Sequence, residues 1–266
     1  MTQGSGSGEK DEGNGRTAEE WYAEGTHLVT VGRYLEGIRA FEKALAIRPG
    51  EARYLAGHAV AVDRVGFFSD ALRLGEQAAA AAPLSPDAWF IRGLALYRLG
   101  RYASATECLR HVVHLLPDHA EAWFFAGNSH YLAGEIEASI VCFDRVLAIS
   151  PRYPKALYNR GVSLSDLGRF EEAAEAYRAC IAQNPGVAVV LTNLGASLAN
   201  LGHFDDAIRS FDQALDIDPR DPMTWHNKGL LLAKLGREDE AIACFEKYRE
   251  LAGDHPSQSM NLRPFR

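Results

Sequence analysis

The sequence predicts an all-α fold, a solenoid of seven helical hairpins, and two observations carry that expectation. Glycine recurs at intervals of 34 residues without a slip, at Gly32, Gly66, Gly100, Gly134, Gly168, Gly202 and Gly236. Prolines keep the same interval at Pro49, Pro83, Pro117, Pro151, Pro185 and Pro219, with Gly253 in the seventh slot. A fixed period of this length marks supersecondary units that cannot bury their apolar faces alone and do so by stacking. Seven units fill 18–255 (18–51, 52–85, 86–119, 120–153, 154–187, 188–221 and 222–255), with 17 residues before them and 11 after.

Numbering each unit 1 to 34 puts the recurrent Gly at position 15 and the Pro at 32. Position 4 holds all four tryptophans (Trp21, Trp89, Trp123, Trp225) and otherwise Leu55, Leu157 and Leu191. Position 8 is Gly in six units and Ala59 in the second. Position 20 is always small, and position 24 is bulky in every unit except the second, where it is Gly75. The spacing 4, 8, 11 is one apolar stripe of a helix and 20, 24, 27 is another. The Gly at 15 lies between them, where a chain reversal favours a residue free to adopt positive φ. Small residues at 8 and 20 let two helices approach closely. The Pro at 32 ends the second helix, having no N–H and restricting the residue before it.

The ends and one unit depart from this regularity. Residues 1–17, rich in Gly, Ser and charge, are expected to be a disordered leader. In the second unit, Gly75 in place of a bulky residue predicts a gap that Phe67 or Phe68 must fill, and makes this the weakest internal hairpin. The seventh unit carries Glu238 at position 17 and Tyr248 at 27. The 256–266 tail after it is short and flanked by prolines, so this unit is either the cap of the array or an open end.

Composition narrows the function classes. Apolar residues at 47% and charged residues at 24% are the balance of a soluble globular protein. A net charge of −7 and a pI near 5.7 argue against a nucleic-acid binder, and no basic cluster exists to recruit an anionic membrane surface. The start has no apolar signal region, and no apolar run approaches the roughly 20 residues that span a bilayer. The four cysteines (Cys108, Cys142, Cys180, Cys244) include no CxxC pair and are too sparse for a disulfide framework. A cytoplasmic chain is expected.

Catalytic chemistry finds little support. Phosphate-cradling, zinc-protease and nucleophile-elbow motifs are missing. Cys108, His111 and His114 lie three apart on one predicted helix, a spacing that drifts about 60° per step and holds three metal ligands poorly. No cofactor is expected. His130 occupies position 11, where other units place Leu or Val, and is read as a hydrogen-bonded core histidine. Nothing supplies a nucleophile with an orienting partner, and no enzyme is expected.

The recurrent residues resemble the tetratricopeptide repeat family. The fifth unit shows the pattern best, with Leu157, Gly161, Gly168, Phe170, Ala173, Tyr177, Cys180 and Pro185. The resemblance covers 238 of 266 residues and implies stacked hairpins winding into a right-handed superhelix with a concave inner surface. It further implies that positions 2, 5, 6, 9, 12 and 13 of each first helix line that surface. Tyr22, Phe90, Phe124, Tyr158 and His226 then fall at position 5, Tyr97 and Tyr131 at position 12, and Phe125 at position 6. Asn159, Asn193 and Asn227 fall at position 6 and Asn128 at position 9. Clustered aromatics suit a binding groove, offering large rigid area at low entropy cost; they equally suit padding between hairpins. A ladder of side-chain amides can pair with the backbone of an extended peptide, or serve the repeat structurally. The carboxylate clamp of the co-chaperone subclass, which opens with Lys and Asn at positions 5 and 9, is not matched: the first unit has Tyr22 and Thr26 there. The resulting expectation is a scaffold binding a peptide or protein segment, with no nucleic-acid or membrane partner. The alternatives are an adaptor that self-associates through its seventh unit and an accessory subunit of an enzyme complex.

Overall fold

The computed structural model describes residues 15–253. The leader up to residue 14 and the tail from 254 lie outside the described residues. The chain divides at Glu135 into two compact units. The first holds α1 (Ala18–Thr30), α2 (Tyr34–Ile47), α3 (Ala52–Val65), α4 (Phe68–Ala81), α5 (Pro86–Arg98), α6 (Tyr102–Leu115) and α7 (Ala120–Leu132). The second holds α8 (Ile136–Ile149), α9 (Pro154–Asp166), α10 (Phe170–Gln183), α11 (Ala188–Asn200), α12 (Phe204–Ile217), α13 (Pro222–Lys234) and α14 (Glu238–Ala252). No strand occurs among the described residues. Within each unit consecutive helices pack as antiparallel neighbours, and each first helix also touches the first helix of the next hairpin.

Local chemistry accounts for the helix boundaries. First helices begin on Pro86, Pro154 and Pro222, where the missing N–H is an orphan in any case. Asp221 caps α13 by accepting from the N–H groups of Met223 (3.2 Å) and Thr224 (3.1 Å). Thr17 and Glu20 form a reciprocal capping box on α1, the Thr17 N–H reaching Glu20 Oε2 at 2.7 Å. Arg16 is ion-paired to Glu24. These two residues of the expected leader are therefore tied to the first hairpin. No side-chain hydrogen bond caps α2, α4, α6, α10, α12 or α14, and an Arg three residues before a Glu stabilises several of these starts, as in Arg169–Glu172 and Arg237–Glu240 at 2.6 Å. All seven position-15 glycines have φ between 73° and 97°, the conformation the hairpin turn requires.

In four hairpins the core is a glycine–aromatic lock, and in the third Gly93 meets Leu109 in the same way. A Cβ on Gly161 would stand 2.6 Å from the Tyr177 ring, and one on Gly195 2.7 Å from the Phe211 ring. Gly25 and Phe41, and Gly229 and Phe245, repeat this relation at positions 8 and 24. The second hairpin inverts it. Ala59 replaces the glycine and Gly75 replaces the aromatic, both buried. No gap results, which corrects the expectation from sequence: a Cβ on Gly75 would lie 3.0 Å from the Arg92 Cα, so the backbone of α5 has moved in. Phe67 is 57% exposed and fills nothing.

Candidate interaction surface

In the first unit the position-5 and position-12 residues of α5 stand seven apart and point the same way, toward α7. Phe125 on α7 is the hub. Its ring lies 6.1 Å from Phe90, 5.4 Å from Tyr97 and 5.6 Å from Phe124, each in an edge-to-face arrangement. His119 tilts against Phe90 at 4.9 Å, and Tyr102 lies 5.9 Å from Tyr97. Phe90, Tyr97 and Phe125 are half-buried, leaving part of each ring to solvent. Phe124 is 8% exposed and belongs to the core of the cluster. Tyr131 and Asn128, also on α7, are half-buried.

Tyr22 is separate from this cluster. It stacks on Tyr54 at 5.0 Å and tilts against Phe41 at 5.8 Å, so it seals the seam between the first two hairpins. Arg53 strengthens that seam through a bidentate pair with Glu19 (2.9 and 2.6 Å), whose carboxylate also accepts from the Tyr54 hydroxyl at 2.9 Å. Asp63, at position 12 between Val29 and Tyr97 in the repeat order, is buried. Its Oδ1 has no hydrogen-bond partner among the described residues. Burial holds its carboxyl above the usual range, against the opposing pull of Arg98 and Arg64.

In the second unit the amides form an uneven row. Asn159 and Asn193 are half-buried, and Asn193 Nδ2 donates to the Tyr158 hydroxyl at 3.3 Å. Burial raises the Tyr158 phenol while this bond pulls it back, and the ring lies 6.2 Å from Tyr177. Asn227 is 8% exposed, which withdraws it from the exposed ladder the spacing suggested. His226 packs against Tyr248 (5.0 Å) and Phe245 (6.0 Å), and burial lowers its pKa.

His130 is not a core residue: it is half-buried and pairs across the hairpin turn with Glu135. The trio on α6 is drawn apart, since Cys108 is buried while His111 lies on Trp89 (4.4 Å) with Nε2 3.3 Å from the Pro83 carbonyl. Burial pushes all four thiols up, Cys142 to about 11, which keeps them protonated at neutral pH. No described helix is long and apolar enough to cross a membrane.

Paired helices at a 34-residue period, locked by glycine against aromatic, define a helical-repeat scaffold. Tetratricopeptide repeat models match residues 58–113, 127–167, 154–187 and 192–256. The chain belongs to the tetratricopeptide repeat family, whose members bind protein or peptide partners. Among solved structures it is similar to YrrB, described as a TPR protein with an unusual peptide-binding site, at 20% identity and a TM-score of 0.65 over 71% of this chain and 97% of that one. It is also similar to MamA, at 24% identity and a TM-score of 0.60 over 64% of this chain and 92% of that one. A MamA from Desulfovibrio magneticus RS-1 matches at 17% identity and a TM-score of 0.59 over 63% of this chain and 95% of that one. No curated protein matches the chain.

Proposed function

We propose that this protein is a non-enzymatic, cytoplasmic scaffold that receives a peptide or protein segment on the exposed faces of its first helices. One observation carries the reading: Phe90 and Tyr97 both pack against Phe125, forming a half-exposed cluster on α5 and α7. Such rings are held rigid before binding, so a partner that covers them orders few side chains. In the second unit Tyr158, Asn159 and Asn193 add hydrogen-bonding groups suited to a partner's backbone. The family's role as interaction scaffolds and the peptide-binding site of YrrB support this reading.

The test is capture of partners from source-cell lysate by the wild type, by Phe90→Ala/Tyr97→Ala and by Asn159→Ala/Asn193→Ala, with helicity checked by circular dichroism. These residues are half-exposed, so their loss should leave the fold intact; Phe124 and Asn227 are avoided because they are buried. A partner held by the wild type and lost by the aromatic variant supports the reading. Identical partners on all three proteins sink it.

A further inference from the structure

We propose that the outer face of α14 is a docking surface for an amphipathic helix that carries a basic residue, seated as each following first helix is seated in the repeats before it. The argument rests on repeat register and is independent of the aromatic cluster. Within the repeats, position 24 of a second helix faces positions 6 and 7 of the next first helix: Phe41 lies against Gly57, and Gly75 against Arg92. That covering leaves Phe41, Leu109, Phe143, Tyr177 and Phe211 at most 1% exposed. Phe245 occupies the same position on α14 and is only half-buried, because no described helix follows it. One turn back, Ile242 is 54% exposed. Residues three and four apart share a helix face, so Ile242, Phe245 and Glu246 form one surface.

The same register specifies the charge of the occupant. Position 25 is an acid in five of the seven hairpins (Glu42, Glu76, Asp144, Asp212 and Glu246), and at two junctions that acid pairs with a cation at position 7 of the next hairpin, Asp144 with Arg160 (2.6 Å) and Asp212 with Lys228 (2.5 Å). Glu246 is the position-25 acid of the last hairpin; it is exposed and has no ion-pair partner among the described residues. Arg249, one turn on, stands where the six earlier hairpins carry Leu, Ile, Val or Ala. The face is therefore apolar at Ile242 and Phe245 and polar at Glu246 and Arg249, which asks for an amphipathic helix. A second copy offering its α1 in this register would bring Glu24, already ion-paired to Arg16, to Glu246 where the register asks for a free cation, which disfavours head-to-tail stacking.

The probe is a synthetic peptide of residues 222–236, the sequence of α13 with Lys228 in place, together with its Lys228→Glu form. Each is titrated by fluorescence anisotropy into the full chain, into Glu246→Lys and into Ile242→Glu, both changes at exposed sites. The wild type should bind the Lys228 peptide about fivefold more tightly than the Lys228→Glu peptide, and Glu246→Lys should reverse that order. Ile242→Glu should weaken binding about tenfold. Preference unmoved by Glu246→Lys would mean the peptide sits elsewhere, for instance on Asp212, and would overturn the proposal. Absence of binding also overturns it. A sedimentation mass that rises with concentration in the wild type and not in Ile242→Glu would assign the face to a second copy and likewise overturn the proposal.

Discussion

The indole Nε1 of Trp123 donates to the carbonyl of Pro117 at 2.8 Å. Trp89 and Pro83 (2.8 Å) and Trp225 and Pro219 (2.9 Å) repeat the bond, tying the end of one hairpin to the first helix of the next. Where Leu157 replaces the tryptophan, Gln183 Nε2 supplies the donor to Pro151 at 3.1 Å. Trp21, in the first hairpin, has no preceding repeat proline, and its Nε1 is buried without a partner among the described residues.

This contrast predicts different costs for one substitution. Trp123→Phe should lower stability by about 1 kcal/mol or more, from the lost bond and reduced burial. Trp21→Phe gives up no such bond and removes a buried orphan donor, so it should cost less, although Arg16 and Lys43 lie over the Trp21 ring at 3.8 and 4.0 Å. Urea midpoints of the two variants check the order; a larger loss for Trp21→Phe would contradict it.

The glycine–aromatic lock predicts a strongly coupled pair. Gly161→Ala should destabilise by about 1–3 kcal/mol, because its Cβ would meet the Tyr177 ring at 2.6 Å. Tyr177→Ala alone opens a cavity at a fully buried site. The double variant should cost less than the sum, since the smaller residue makes room for the methyl. Additive losses in a double-mutant cycle would contradict the lock.

Asp63 predicts a pH dependence whose sign follows from burial. Its folded pKa lies above its unfolded value, so between the two the native state holds more protons. Stability therefore falls as pH rises through that window; the penalty is complete above the folded pKa and absent below the ordinary aspartate range. Asp63→Asn should unfold at higher urea than the wild type at pH 7, with the advantage vanishing in acid. A constant difference across pH would contradict this.

Hydrogen exchange should be fastest, among the internal hairpins, in α3 and α4. That hairpin has no aromatic of its own at position 24 and takes its cover from the α5 backbone. Slower exchange there than in α9 and α10 would refute the expectation.

Much of this architecture was legible in sequence for a simple reason. Period, turn glycine and apolar stripe are local properties, repeated often enough to cancel accident, and the helices begin and end where positions 1, 15 and 32 place them. What escaped was pairing across repeats. Trp and Pro were each visible at their positions, but the bond between Trp123 and Pro117 depends on where a chain reversal brings an indole. Gly75 read as a deficit because spacing cannot show a neighbouring backbone moving closer. The candidate surface was legible as residue types; burial then separated Phe90 and Tyr97 from Phe124, and Asn193 from Asn227. Phe125, hub of the cluster, was visible at position 6 but no more prominent than its neighbours.

The inverted pair Ala59 and Gly75 gives the array an addressed order. Hairpins that share the glycine–aromatic lock are, to a first approximation, interchangeable tiles. The second is not, because its Gly75 admits a backbone that an aromatic at that position would exclude. Recombination that duplicated, deleted or shuffled whole repeats would be tolerated more readily in the later part of the chain than across this junction, which acts as a bookmark within an otherwise periodic text.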